Sequence, residues 1–188
     1  HKMGIKIHLH CYQYDRPEAE ILKKYCETVA YYPRITGFIS QLSLKPYIVV
    51  SRLSEMLLKN LLHDNYPILF EGLHSCYYLN HKALKGRTLI YRESNIEHHY
   101  YFNLFKSERS LGRKLFFLAE SLKLRLYQKQ LQHSTRMLVV SQTDRDYLAA
   151  KFPRKDVVYL PSFHGNNQVK SLPGKGNYVW YHGNLSVG

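Results

Sequence analysis

The residues best able to do chemistry sit together in Pro67 to Leu79, which reads Pro-Ile-Leu-Phe-Glu-Gly-Leu-His-Ser-Cys-Tyr-Tyr-Leu. Glu71 supplies a carboxylate, and His74 supplies the side chain that titrates nearest neutral pH. Gly72, between them, lets the backbone turn sharply. A lone loop histidine more often caps a turn or faces solvent. Its position is what singles this one out. The apolar run Ile68-Leu69-Phe70 is short, as a parallel strand buried on both faces would be. Glu71, Gly72 and His74 therefore follow the carboxyl end of a central strand, which is where open α/β sheets bind ligands.

Two further groups fall at the same kind of place. Thr88 to Tyr91 reads as an apolar strand, and Arg92-Glu93-Ser94-Asn95-Ile96-Glu97-His98-His99-Tyr100-Tyr101 follows it. Asn95 suits a helix cap, with Glu97, His98 and His99 in the first turn. Adjacent histidines on a helix diverge by about 100°, so His98 and His99 make a poor metal chelate. Met137 to Val140 is another strand, and Ser141-Gln142-Thr143-Asp144 caps the helix after it.

The remaining elements place these groups. Gly4 to Cys11 alternates apolar and polar as a strand with one buried face. A short helix begins at Pro17 and runs to about Cys26, and Thr28 to Tyr32 is the next strand. Arg34 to Leu44 reads as turns with partial helix. Leu53, Met56, Leu57, Leu61 and Leu62 repeat at helical spacing, and a short helix covers Cys76 to Leu84. Leu111 to Gln132 is a long amphipathic helix. Its stripe Leu115, Leu118, Leu122 and Leu126 reads first as core packing, and second as a face lying on a membrane. Asp156 to Leu160 is a strand closed by Pro161. Strand and helix alternate with short connections and no internal repeat, which predicts an α/β, Rossmann-like open parallel sheet with helices on both faces in a single domain.

Composition narrows the partners. The chain has 188 residues, 45% of them hydrophobic, so a packed core is expected. Lys+Arg is 27 against Asp+Glu 14, a formal net charge of +13, which suggests an anionic partner such as nucleic acid, an acidic membrane face or a phosphorylated substrate. The 17 tyrosines suit interfaces and clefts lined by sugars or bases. The three cysteines, Cys11, Cys26 and Cys76, lack C-x-x-C spacing and argue against a disulfide framework or a structural zinc site. No apolar run reaches the roughly 18 residues that span a bilayer, and no signal peptide opens the sequence. There is no phosphate loop of the G-x-x-x-x-G-K-S/T type, no G-x-G-x-x-G after a strand and no G-x-S-x-G elbow.

Taken together, Phe70-Glu71-Gly72-Leu73-His74, the Arg92 to Tyr101 stretch, Val139-Val140-Ser141 leading a helix, and Tyr181-His182-Gly183-Asn184-Leu185-Ser186 resemble the N-terminal half of GT-B glycosyltransferases of the retaining, nucleotide-sugar-using kind, especially bacterial mannosyltransferase-like members. The resemblance implies an acceptor-side domain over residues 1–163, a linker over 164–177, and the first strand and turn of a donor domain over 178–188. It implies transfer of a sugar, with mannose as the type suggested, from a nucleotide-diphosphate sugar to a saccharide or lipid-linked acceptor. No permanently bound cofactor or metal is implied. His74 would be catalytic, sitting over the donor sugar and hydrogen-bonding one of its hydroxyls. Glu71, Gly72, Arg92, Asn95, Glu97, His98 and His99 would line the acceptor side. Ser141, Gln142, Gly183 and Asn184 would face the other domain. The expected location is cytoplasmic and peripheral at the inner, anionic face of the membrane, with no nucleic acid bound.

Two departures from that family carry expectations of their own. The donor domain stops after its first strand, so the chain is expected to be an inactive fragment. The family's first strand, which precedes Gly4 to Cys11, is missing and leaves a slot between that strand and Ile68 to Phe70. Tyr178 to His182 is expected to fill the slot, and deletion of 178–188 would then abolish soluble folding. Unchanged melting after the deletion would refute this. Outside the family, the competing readings are a non-catalytic basic α/β domain that binds nucleic acid, whose mark would be steeply salt-dependent binding to generic oligonucleotides, and an interaction scaffold.

Overall fold

The computed structural model describes residues 3–14, 17–163, 168 and 174–177. It is an α/β fold in which every paired strand is parallel. The strands are β1 (His8–Tyr12), β2 (Thr28–Tyr32), β3 (Ile68–Glu71), β4 (Leu89–Glu93), β5 (Arg136–Val139) and β6 (Asp156–Tyr159). They form two sheets, β1-β2 and β3-β4-β5-β6. The division falls between β1 and β3, where the sequence leads one to expect a further strand. Tyr178 to His182, the expected occupant, lies outside the described residues, as do Gly183 and Asn184.

The helices are α1 (Phe38–Gln41), α2 (Tyr47–Val50), α3 (Glu55–Leu62), α4 (Glu97–Ser107), α5 (Leu111–Tyr127) and α6 (Gln142–Lys151). Arg34 to Leu44, expected as turns with partial helix, contains the single-turn helix α1, and the single-turn helix α2 follows it. The helix expected from Pro17 is shorter and tighter, a 3₁₀ turn over Glu20–Lys24. Leu73–Tyr78 and Lys82–Leu84 are 3₁₀ turns too. Ser54 caps α3 by accepting from the Leu57 amide, and Ser141 caps α6 by accepting from the Asp144 amide. None of the described helices is long and apolar enough to cross a membrane.

The core is built by the larger sheet. Phe70, Leu89, Tyr91, Met137 and Val139 on its strands pack with Leu73, Cys76, Leu79, Leu84, Ile96, Leu124, Leu131 and Leu148 from the connections. The smaller sheet gives this buried cluster one strand residue, Tyr32. It is held to the rest by side chains. The Asn60 amide donates to the Tyr32 hydroxyl at 2.8 Å, the Tyr12 hydroxyl donates to the Arg52 carbonyl at 2.5 Å, and the His8 ring stacks on Tyr66 at 5.5 Å.

Three expectations need correction. β3 is not buried on both faces. Among the described residues it pairs only with β4, and the Leu69 side chain, on one face of the sheet, is 55% exposed. Asn95 does not cap α4: the cap position is Ile96, without a side-chain bond, and Asn95 Oδ1 accepts instead from the Ser94 hydroxyl at 3.1 Å. The leucine stripe of α5 does not face the core. Leu115, Leu122 and Leu126 are exposed, and the buried side is Glu120, Ser121, Leu124 and Tyr127. Glu120 fixes that orientation, since its carboxylate accepts from the Tyr47 amide at 2.7 Å and from Lys123 Nζ at 2.9 Å.

Candidate functional site

The carboxyl ends of β3 and β4 lie side by side, with Glu71 in register with Arg92. The Gly72 amide continues this pairing by donating to the Arg92 carbonyl at 2.8 Å, before the chain turns into the 3₁₀ segment that carries His74. Gly72 has φ +72°, a conformation that side chains disfavour. A Cβ placed there would lie 2.6 Å from His74 Cε1 and 2.8 Å from Nδ1. The imidazole therefore rests on the glycine backbone, and any larger residue at position 72 would displace it.

Facing His74 is Glu97, the first residue of α4. Its Oε1 is 3.7 Å from His74 Nδ1. The carboxylate is well covered and the imidazole stays partly open to solvent. The carboxylate charge lies beside Nδ1 without a direct hydrogen bond, and the imidazole's open side can engage a ligand hydroxyl. The turn after β3 and the start of the helix after β4 thus bring two distant candidates, His74 and Glu97, together.

The other candidates are placed differently. Arg92 and Glu71 form an exposed ion pair across the two strand ends. His98 turns inward. Its ring lies 6.0 Å from that of Tyr147, its Nε2 is 3.4 Å from the Tyr147 hydroxyl, and its carbonyl accepts from Ser121 at 2.8 Å. Burial pushes His98 down to about 4, and its Nδ1 has no partner. His99 is more exposed, yet the two rings do not diverge as their adjacency on a helix leads one to expect: their centroids are 4.3 Å apart, and the His99 ring lies 5.3 Å from that of Tyr147. Ser141 is occupied as the α6 cap, and Gln142 accepts from Arg145 at 3.1 Å on an exposed turn. Among the described residues no cluster of ligands fit for a metal forms.

Two groups at this end of the fold escaped the sequence reading. Glu93, the last residue of β4, is fully buried, and its Oε2 accepts from the Tyr91 hydroxyl. Its Oε1 has no partner, and burial pushes its carboxyl up to about 8. The signal was present: Leu89, Tyr91 and Glu93 alternate, so Glu93 falls on the buried face.

The second group is the pair Arg34 and Arg52. Arg34 Nη2 donates to the Ser51 hydroxyl at 3.0 Å, its guanidinium lies 4.7 Å from the Tyr14 ring centroid, and its buried Nε has no partner. Arg52 donates to the Ile48 carbonyl. Burial, and then the like charge of Arg34, bring Arg52 down to about 10, against the opposing influence of Tyr12, Tyr101 and Glu97. Among the described residues neither guanidinium has a carboxylate within ion-pair reach. Arg34 falls in a weakly patterned stretch and Arg52 just before the leucine repeat that begins at Leu53, so local pattern does not announce the pair.

Two surface hollows lie elsewhere. One is lined by Ile5, Ile7 and Glu27, and the other by His81, Lys85 and His133 near the amino end of β4. The strand-end site is an open shelf, able to hydrogen-bond a hydroxyl through His74 and to attract an anion through Arg34 and Arg52. No family model, no curated protein and no solved structure matches the chain.

Proposed function

We propose that this chain is the acceptor-side half of a glycosyltransferase that moves a sugar, of the mannose type, from a nucleotide-diphosphate sugar to a saccharide or lipid-linked acceptor. The observation that carries the reading is His74, seated on Gly72 and faced by Glu97 at the carboxyl end of a parallel strand. An imidazole seated on Gly72 with a carboxylate beside it suits a hydrogen bond to a sugar hydroxyl that strengthens as charge develops on the sugar. Glu71, Arg92 and the start of α4 would contact the acceptor. Arg34 and Arg52, which have no acidic partner among the described residues, suit a phosphate on it. The donor half lies outside this chain on the same reading, and the enzyme works in the cytoplasm at the inner face of the membrane.

Turnover of a panel of nucleotide sugars by the parent polypeptide, with phosphorylated and neutral acceptors supplied, tests the reading. His74→Ala should lower turnover of the preferred donor about a hundredfold or more. Turnover that ignores the substitution would keep the class and remove His74 from the chemistry. No turnover of any donor with any acceptor would overturn the reading.

A further inference from the structure

Helix α5 carries its leucines on the wrong side for a core helix. Leu111, Leu115, Leu122 and Leu126 are between 54% and 72% exposed. At 100° per residue these four, with Leu118, occupy an arc of only about 80°. The opposite side holds the buried Glu120, Ser121, Leu124 and Tyr127. The orientation is not adjustable, because Glu120 is tied to the Tyr47 amide and to Lys123.

The surroundings extend the patch. Lys123 Nζ also donates to the Gln41 carbonyl at 3.2 Å, which brings the loop after α1 beside α5. That loop presents Leu44, 95% exposed, and Leu42. Cations border the leucines. Lys114 and Arg125 flank the stripe on one side, Lys123 lies on the other, and the exposed Lys129 follows in the next turn. The single acidic residue of α5, Glu120, is buried, so no carboxylate of the helix opposes them.

We propose that this face of α5, with the 42–44 loop, is a docking surface for an anionic lipid bilayer. The charge pattern selects the occupant. A narrow apolar stripe edged with cations lies in the headgroup region with its leucines in the acyl boundary and its basic residues against lipid phosphates. A second copy of the chain packed on the same face would set Lys114 and Arg125 against their own equivalents. The surface deepens the peripheral location given above. It needs neither donor nor acceptor, so it stands or falls separately from sugar transfer.

Co-sedimentation of the chain with vesicles tests this. Binding is expected to vesicles of phosphatidylcholine with roughly a third phosphatidylglycerol, and to weaken steeply with salt and with removal of the anionic lipid. Leu115→Glu with Leu122→Glu should lower the partition coefficient at least about tenfold. Both positions are exposed, so the double variant should keep the wild-type melting curve. Lys114→Gln with Arg125→Gln, leucines intact, should reduce binding about fivefold per charge at low salt. No binding to the anionic vesicles, or binding that the leucine variant leaves intact, would overturn the proposal. A lipid-free dimer that the leucine variant dissociates would overturn it too, and would assign the stripe to self-association.

Discussion

The two sheets of this molecule are made of similar residues and are stabilised differently. β3 to β6 form a continuous ladder, and in β3, β4 and β5 the inward side chains Phe70, Leu89, Tyr91, Glu93, Met137 and Val139 are buried, while the edge strand β6 is more open. In β1 and β2 only Tyr32 is fully buried, and Ile5 and Ile7, just before β1, are exposed. Both sheets are parallel and rich in β-branched and aromatic residues. What separates them is the number of neighbours. A parallel strand reaches full burial only when it is flanked on both edges and covered on both faces. The smaller sheet depends instead on tyrosine hydroxyls that reach Arg52 and Asn60 of α3, and on the His8 ring stacked on Tyr66.

The comparison breaks most sharply on equal truncations. Leu131 is fully buried beneath the larger sheet, and Leu9 is half-buried in β1. Leu131→Ala should cost about 3 kcal/mol, whereas Leu9→Ala should cost about 1 kcal/mol or less. Urea denaturation of the two variants measures both. Equal losses would mean that the two sheets share one core after all.

The larger sheet also holds the charge it would most readily do without. Glu93 has its folded-state carboxyl raised to about 8 from an ordinary 4.5, chiefly by burial. The folded state therefore keeps a proton that the unfolded chain has released, and stability falls as pH rises through that window. His98 works the other way. Its folded value of about 4, against an ordinary 6.5, makes stability fall as pH drops between those limits. The two effects oppose each other below pH 6.5. From pH 6.5 to 8 only Glu93 acts, and stability should decline with a limiting slope of roughly 1.4 kcal/mol per unit. Glu93→Gln should flatten that decline and leave a variant more stable than the wild type at pH 8. Thermal melts at pH 6.5 and 8 measure it.

The boundary between the sheets gives a smaller test. The Tyr32 hydroxyl accepts from the Asn60 amide at 2.8 Å and is 2.7 Å from His10 Nδ1. Tyr32→Phe keeps the ring in the core and removes both bonds, at a cost of about 1–2 kcal/mol. Hydrogen exchange should accelerate selectively in β1 and β2. Uniform acceleration across both sheets would show that the smaller sheet does not open on its own.

The sequence was legible where local pattern decides structure. Each of the six described strands matches a short apolar or alternating run bounded by turn residues, although β1 begins at His8 rather than Gly4 and leaves Ile5 and Ile7 exposed, and Ser141 matches its place before a helical pattern. It was illegible where tertiary partners decide. The apolar run of β3 reads as doubly buried, but its second edge depends on a strand that could be supplied from anywhere in the chain. The leucine spacing of α5 is that of any amphipathic helix. Only the bond between Glu120 and the Tyr47 amide, 73 residues apart, determines which side faces in. The same holds for the site: His74 and Glu97 each stood out by position, and their approach to 3.7 Å is a property of the folded turn. Arg34, from a weakly patterned segment, and Arg52, at the start of the leucine repeat, meet only in three dimensions.

The smallest expected effect separates scaffold from site. Glu71 and Arg92 form an ion pair at the open ends of β3 and β4, with the Glu71 side chain 54% exposed. An exposed pair of this kind contributes about 0–1 kcal/mol, because water screens the attraction and ordering two side chains opposes it. The backbone bond from Gly72 to the Arg92 carbonyl already fixes the register of the two strands. Glu71→Ala should therefore leave the urea midpoint within about 0.5 kcal/mol of wild type. It should also free the Arg92 guanidinium, and so raise the affinity of the shelf for an anionic saccharide such as a sugar phosphate, measured by titration calorimetry. A stability loss well above 1 kcal/mol, with anion affinity unchanged, would instead make the pair a clamp between β3 and β4 and would take Glu71 and Arg92 out of the binding shelf.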